Sequence, residues 1–125
     1  RNFIAIESNN FGIAEKYFYS IIDAIKVITS DENEPMLNIL GYYKNNNWIT
    51  VIFPREKHRP TYYFEKGEKN ILLSPASVDM GGVCITPLEK DFEKITKEEV
   101  IDIYKQVSVA DTKFSDICKT INNFD

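Results

Sequence analysis

Two runs of β-branched and aromatic residues, separated by a stretch that favours a tight turn, constrain the fold of this chain more than any other feature. The runs cover residues 36–43 and 48–53, and the connecting segment, residues 44–47, contains three Asn residues. Because Asn tolerates the left-handed backbone region that turns require, the pattern predicts an antiparallel β-hairpin. Only Thr50 is polar between residues 49 and 53, which indicates a central strand whose residues lie in the core.

Helical spacing of apolar residues on both sides of the hairpin predicts helices that pack against it. The dipeptide Asn9-Asn10 offers N-cap oxygens ahead of residues 13–28, where apolar side chains recur every three or four positions. Thr96 and Glu99 match a capping box at the start of a second helix, and residues 108–121 continue into a third.

Shorter apolar runs predict further strands at residues 3–6, 71–73 and 83–88. We expect the first and the last of these to join the hairpin in one antiparallel sheet, with the helix of residues 13–28 lying across it. This order of elements predicts an α+β fold, in which an antiparallel sheet is packed against helices.

Length and charge limit the classes of function. The 125 residues are enough for one domain, and an apolar content of 43% is enough to form its core. Fifteen basic against nineteen acidic residues give a net charge of −4, which excludes a general binder of nucleic acid or of anionic membranes. Without a bilayer-length apolar run or a signal-peptide pattern, we expect a soluble, cytoplasmic domain with no metal and no cofactor.

The two cysteines lie among apolar residues and lack Cys-x-x-Cys spacing. We therefore expect Cys84 and Cys118 to be free, buried thiols in a reducing compartment, and we favour this over a disulfide or a zinc site.

A short basic segment directly after the predicted central strand is the best candidate for a binding site. Arg55, Lys57, His58 and Arg59 place four possible donors within five residues of an acidic chain. Arg supplies a planar fork that matches phosphate and Lys supplies a point charge, so the segment is a candidate phosphate- or nucleotide-binding site. The local sequence leaves open the alternative of a solvated charged loop that also contains Glu56.

Catalysis by these residues alone is not expected. His58 is the single histidine, which excludes a His-x-His motif and makes any Ser-His-Asp triad depend on a loop residue. Residues 74–82 have the small side chains of a phosphate-cradling loop, but no Gly-Lys-Ser/Thr follows, so a tight turn between strands is favoured. We predict no catalytic residue and no metal ligand.

Two stretches resemble members of the histidine-triad (HIT-like) superfamily. Residues 48–55, a Trp followed by an apolar strand that ends in Pro-Arg, look like the second domain of diadenosine tetraphosphate phosphorylases. Residues 82–99 and 106–108 are similar to the C-terminal region of GDP-glucose and GDP-L-galactose phosphorylases. The resemblance covers residues 36–118.

The resemblance implies a chain of two HIT-like α+β halves that pack as subunits do in a homodimer. The nucleophile would be the middle histidine of a His-x-His-x-His motif in the N-terminal half, where it forms a nucleotidyl-histidine that phosphate resolves. Residues 1–125, which open with Arg1 inside a predicted strand, would then be one C-terminal domain of a longer polypeptide and inactive alone. Basic donors must stabilise the charge on the phosphoryl oxygens, and Arg55, Lys57 and Arg59 are the candidates on their local chemistry alone, since no motif of the family assigns them this role.

Three functions stay open at this point. The chain could be the non-catalytic half of a nucleotidyltransferase or phosphorylase that acts on nucleoside diphosphate sugars or dinucleoside polyphosphates. It could also be a purely structural half, or a free-standing module that binds a small ligand. The expected partners are an N-terminal catalytic half and a nucleotide or sugar nucleotide, with a homodimer as a further option and no nucleic acid or membrane.

Overall fold

The computed structural model describes residues 2–30 and 34–123 and has an α+β fold, as predicted. Its sheet is antiparallel with the strand order β1-β3-β2, where the strands are β1 (Ile4–Ser8), β2 (Leu37–Lys44) and β3 (Asn47–Pro54). Strand β3 therefore occupies the centre of the sheet, which confirms the position predicted for residues 48–53.

The hairpin closes through a two-residue turn. Asn45 and Asn46 have φ angles of 52° and 61°, and Lys44 pairs with Asn47 across the strands. Positive φ at both central positions is the geometry of a type I′ turn, whose twist matches that of the flanking strands. The run of Asn residues thus sets the register of the whole hairpin.

The caps predicted at Asn10 and Thr96 are both present among the five helices of the described residues. The helices are α1 (Phe11–Thr29), α2 (Ser77–Met80), α3 (Glu89–Lys94), α4 (Lys97–Val107) and α5 (Asp111–Asn122), with 3-10 turns at Thr61–Phe64 and Gly67–Lys69. Asn10 caps α1 by accepting the N–H of Ile13 at 3.1 Å. At α4 the capping box is complete, because Thr96 Oγ1 accepts from the N–H of Glu99 and Glu99 Oε2 accepts from the N–H of Thr96.

Helix α1 covers one face of the sheet. Ile6 and Ile52 from the sheet pack against Ala24 and Ile25 of α1, and Ile117 of α5 joins the same cluster. These side chains are all at least nine-tenths buried, so they form the main core. The predicted packing of this helix across the sheet is confirmed.

The other face of the sheet packs against α2 and α4 around the end of β3. Phe53 contacts Met80 of α2 and Tyr104 and Val107 of α4 in a second buried cluster. The expectation that residues 49–53 are all core is only partly met, since Ile52 and Phe53 are buried but residues 49–51 are half-buried. The helices cover the end of β3 that is farther from the turn, and Trp48 near the turn is exposed.

Two predicted strands are wrong. Residues 71–73 and 83–88 belong to no strand of the described sheet, and carboxylates accept from two of their backbone N–H groups. The N–H of Leu72 donates to Asp91 Oδ2 at 2.8 Å, and the N–H of Ile85 donates to Asp79 Oδ1 at 3.2 Å.

The prediction that neither cysteine forms a disulfide is correct, but the predicted burial is wrong for Cys84 and only partly met for Cys118. Both thiols are free, but Cys84 is exposed because it lies in the loop of residues 83–88 rather than in a strand, and Cys118 is half-buried in α5. None of the helices in the described part of the chain has both the length and the apolar character needed to cross a bilayer.

Candidate functional site

The basic segment begins where the central strand ends, and backbone hydrogen bonds fix its start. The N–H of Arg55 donates to the carbonyl of Met36 at 2.8 Å, and the N–H of Glu56 donates to the carbonyl of Val107 at 3.0 Å. Arg55 also forms an antiparallel bridge with Ser108. The loop therefore leaves the sheet from a point held by the residue before β2 and by the end of α4.

Arg55 is a buried organiser of this loop rather than a surface donor. Its Nη1 donates to Asn38 Oδ1 at 2.6 Å and to the carbonyl oxygen of Pro75. Its Nη2 donates to the carbonyl oxygens of Lys57 at 3.1 Å and His58 at 2.8 Å. All four Nη hydrogens are thus used within the protein, and Arg55 is only 5% exposed.

The charge of Arg55 is not neutralised by direct contact. Its hydrogen-bond acceptors are carbonyl and amide oxygens, and it forms no salt bridge with a carboxylate in the described part of the chain. Burial lowers the pKa of Arg55, and the more distant charge of Asp79 partly offsets this. Since an arginine stays protonated under all ordinary conditions, a buried positive charge remains at the base of the loop.

The other three predicted residues follow on the surface. Lys57 is half-buried, His58 and Arg59 are exposed, and none of the three forms an ion pair with a described residue. The guanidinium carbon of Arg59 lies 4.3 Å from the ring centroid of Tyr63, a cation–π contact that restricts this long side chain.

A cavity of about 670 Å³ brings all four predicted residues together. Its lining residues come from the end of the hairpin, the basic loop, the first 3-10 turn and the segment before α2: Asn38, Arg55, Lys57, His58, Arg59, Phe64, Ser74, Pro75 and Ala76. None of these residues is acidic. By contrast, three other cavities of the described structure each contain at least one Asp or Glu.

Reasoning from the sequence missed three features of this cavity. Asn38 and Pro75 are acceptors for Arg55, and no local pattern predicts that pairing. The ring of Phe64, 68% exposed, forms part of the cavity wall. The signal that could have revealed it is the aromatic run at residues 62–64 directly after the basic segment.

No group of three or more His, Cys, Asp or Glu side chains in residues 2–30 and 34–123 is arranged to hold a metal ion. The donors at the cavity are instead cationic or amide groups, and hydroxyl and backbone groups surround them. Such a donor set suits an anion.

Comparison with known families agrees with the resemblance described above. The family model for the GDPGP1-like, C-terminal domain matches residues 12–124, nearly the whole chain, and includes every residue that lines the cavity. The chain belongs to this family. As a GDPGP1-like C-terminal domain it is a domain of a nucleotide-sugar phosphorylase-type protein. No curated protein and no solved structure matched this GDPGP1-like domain.

Proposed function

We propose that this domain is the non-catalytic C-terminal half of a cytoplasmic nucleotidyltransferase or phosphorylase that acts on nucleoside diphosphate sugars or dinucleoside polyphosphates. The family match over residues 12–124 carries the proposal. The composition supports it, because a single, loop-borne histidine gives the chain no histidine pair for nucleotidyl transfer.

In the proposed reaction a histidine of the N-terminal half attacks the α-phosphorus of the substrate. The bond from this phosphorus to the bridging oxygen breaks, so that a nucleoside diphosphate sugar releases its sugar 1-phosphate and leaves a nucleotidyl-histidine. Inorganic phosphate then attacks the same phosphorus, frees the histidine and forms the nucleoside diphosphate. Each step replaces one bond to phosphorus by another.

The role of this domain is to complete a HIT-like pair of halves and to supply positive charge. Negative charge spreads over the phosphoryl oxygens during both transfer steps, and fixed cationic donors stabilise it. Lys57, His58 and Arg59 are accessible donors in the lining of the cavity, and Arg55 adds a buried charge beside them. We propose that this edge faces the phosphates of the substrate.

The test compares the natural protein that carries this domain with the 125-residue chain alone. Both are incubated with a GDP-sugar or a dinucleoside polyphosphate, with and without inorganic phosphate, and the products are separated by anion-exchange chromatography. We expect phosphate-dependent release of nucleoside diphosphate by the natural protein and none by the folded chain.

Two results would overturn the proposal. The first is phosphate-dependent turnover by the chain alone that His58→Ala abolishes. The second is a natural protein that neither cleaves these substrates nor forms a nucleotidyl-histidine detectable by mass spectrometry, which would leave a structural or small-ligand-binding module.

A further inference from the structure

The cavity beside the basic loop is lined by positive side chains and by no acidic one, and its cations form no direct ion pair with a described carboxylate. Arg55 carries a buried charge held by neutral oxygens, and its Nε is buried without a hydrogen-bond partner in the described chain. Lys57 and Arg59 add two charges without an ion pair. Cations without an ion pair favour an anion beside them, and water screens the buried charge of Arg55 less than the exposed charge of Arg59.

The shape of the cavity adds a second requirement. The cavity is open to solvent, and its volume of about 670 Å³ is much larger than a phosphate ion needs. Phe64 presents an exposed ring on its wall, and the neighbouring ring of Tyr63 packs against it at 5.4 Å in an edge arrangement. An exposed aromatic ring in the lining of the cavity is suited to stacking on a planar ring.

We infer that this cavity binds a nucleoside diphosphate, with its phosphates on Lys57 and Arg59 and its base stacked on Phe64. The inference rests on the proposed function and deepens it by assigning the nucleotide to this domain. Arg55 is a positioning residue here. Its bonds to the carbonyls of Lys57 and His58 hold the loop backbone at the cavity, and its Nη hydrogens have no capacity left for the ligand.

The hydrogen bond from Ser74 Oγ to the carbonyl of His58, at 3.2 Å, joins a second lining residue of the cavity to the loop. The loop of residues 55–59 is thus tied both to the end of β2 and to the segment before α2. A site held in this way is formed before the ligand arrives, which reduces the entropy lost on binding.

The decisive experiment is equilibrium binding to the 125-residue chain, after its fold has been checked by circular dichroism. Isothermal titration with GDP, inorganic pyrophosphate and guanosine separates the phosphate contribution from the base contribution. We expect GDP to bind at least about fivefold tighter than pyrophosphate, because stacking on an aromatic side chain contributes about 1–3 kcal/mol per base. Guanosine should bind more weakly than either.

Two variants divide the site. Phe64→Ala should weaken GDP binding by about fivefold or more and leave pyrophosphate binding unchanged. The double variant Lys57→Ala, Arg59→Ala should weaken both ligands by roughly a hundredfold, since two charge-assisted bonds are lost.

The matched controls remove the same groups elsewhere. Lys66→Ala deletes an exposed charge and Phe92→Ala an exposed ring, and neither residue lines the cavity. Both variants should bind GDP and pyrophosphate as the parent chain does.

The outcomes separate this inference from the proposed function. If the chain binds neither GDP nor pyrophosphate at millimolar concentration while the natural protein is an active phosphorylase, the inference is wrong and the proposed function stands. Equal losses in the Phe64→Ala and Phe92→Ala variants would also overturn it. If the binding pattern is as expected but the natural protein has no phosphorolytic activity, the nucleotide site stands and the proposed function fails.

Discussion

The Nη1 group of Arg55 donates a hydrogen bond to Asn38 Oδ1 across 2.6 Å, and this bond joins the end of the central strand to the edge strand β2. The same guanidinium reaches the carbonyl of Pro75, which precedes α2. One side chain therefore connects three segments that are distant in sequence, and the cavity lies among them.

We predict that Arg55→Ala lowers the free energy of unfolding by at least about 3 kcal/mol, because several charge-assisted hydrogen bonds are lost and buried carbonyl acceptors stay unpaired. Arg55→Lys should recover only part of this loss, since an ammonium group cannot span acceptors on opposite sides as the planar guanidinium does. Urea denaturation followed by circular dichroism measures both variants.

Arg59→Ala is the matched control for this prediction, since it removes an exposed guanidinium from the same loop. Its cation–π contact with Tyr63 limits the expected loss to about 1 kcal/mol. An Arg55→Ala protein as stable as the Arg59→Ala protein would show that the buried network does not hold the loop.

The parts of the fold that sequence predicted correctly depend on local chemistry. The Asn residues at 45 and 46 define the turn by their own backbone preference, and Thr96 with Glu99 completes a cap within four residues. The strand predicted at residues 83–88 is wrong. Val83 and Ile85 alternate with other residues as in a strand, yet both side chains are exposed. A carboxylate elsewhere in the chain, that of Asp79, takes the backbone donor that a strand would use.

The candidate site was predictable as a segment but not as a structure. Sequence places Arg55, Lys57 and Arg59 together as equivalent cations. Only the fold separates them, because the acceptors of Arg55 at Asn38 and Pro75 lie 17 and 20 residues away. A buried arginine and an exposed one have the same local sequence pattern, and only contacts with residues distant in the sequence determine which of the two is buried.

The cap of α4 provides a second stability prediction. Thr96→Ala should lower the free energy of unfolding by about 1 kcal/mol, because the N–H of Glu99 loses its acceptor at the start of the helix. Thr112→Ala, an exposed threonine in the first turn of α5, is the control and should change stability by less than about 0.5 kcal/mol. Thermal unfolding of the two variants side by side makes the comparison, and equal midpoints would contradict the cap.

The exposed thiol of Cys84 predicts selective chemical labelling. Partial burial of the thiol, together with the negative charge of Asp79, raises the pKa of Cys84 above its usual 9.0. Because the thiolate is the reactive form, modification at neutral pH should be slow and should accelerate about tenfold per pH unit until that pKa is reached.

Labelling with a maleimide, followed by peptide mass spectrometry, measures this reactivity. Cys84 should be modified before the half-buried Cys118, and Cys84→Ser should remove the fast phase. Faster labelling of Cys118 in the folded chain would contradict the exposed position of the loop.

The last prediction concerns Asp91, a buried carboxylate that ties α3 to the extended segment after the second 3-10 turn. Burial opposes its ionisation, but hydrogen bonds from Lys90 and from the N–H of Leu72 outweigh burial and hold the pKa of Asp91 below its usual 3.8. A depressed pKa in the folded state means that the charged form stabilises the fold. This contribution is fully present above about pH 5 and is lost as the pH falls through 3.8 toward the lower folded value.

Asp91→Asn should therefore destabilise the protein at pH 7 by about 1–3 kcal/mol. The N–H of Leu72 and the ammonium group of Lys90 both donate to this side chain, and an amide replaces one of its two acceptor oxygens by a donor. The difference from the parent should shrink as the pH is lowered below 3.8, where the parent loses its own charge at this position. Glu93→Gln, an exposed change in the same helix, should follow the parent at every pH to within about 0.5 kcal/mol. Urea midpoints collected from pH 3 to pH 7 measure these differences. If the difference between the Asp91→Asn variant and the parent stayed constant over this range, packing, and not the charge of Asp91, would hold the segment around Leu72 to α3.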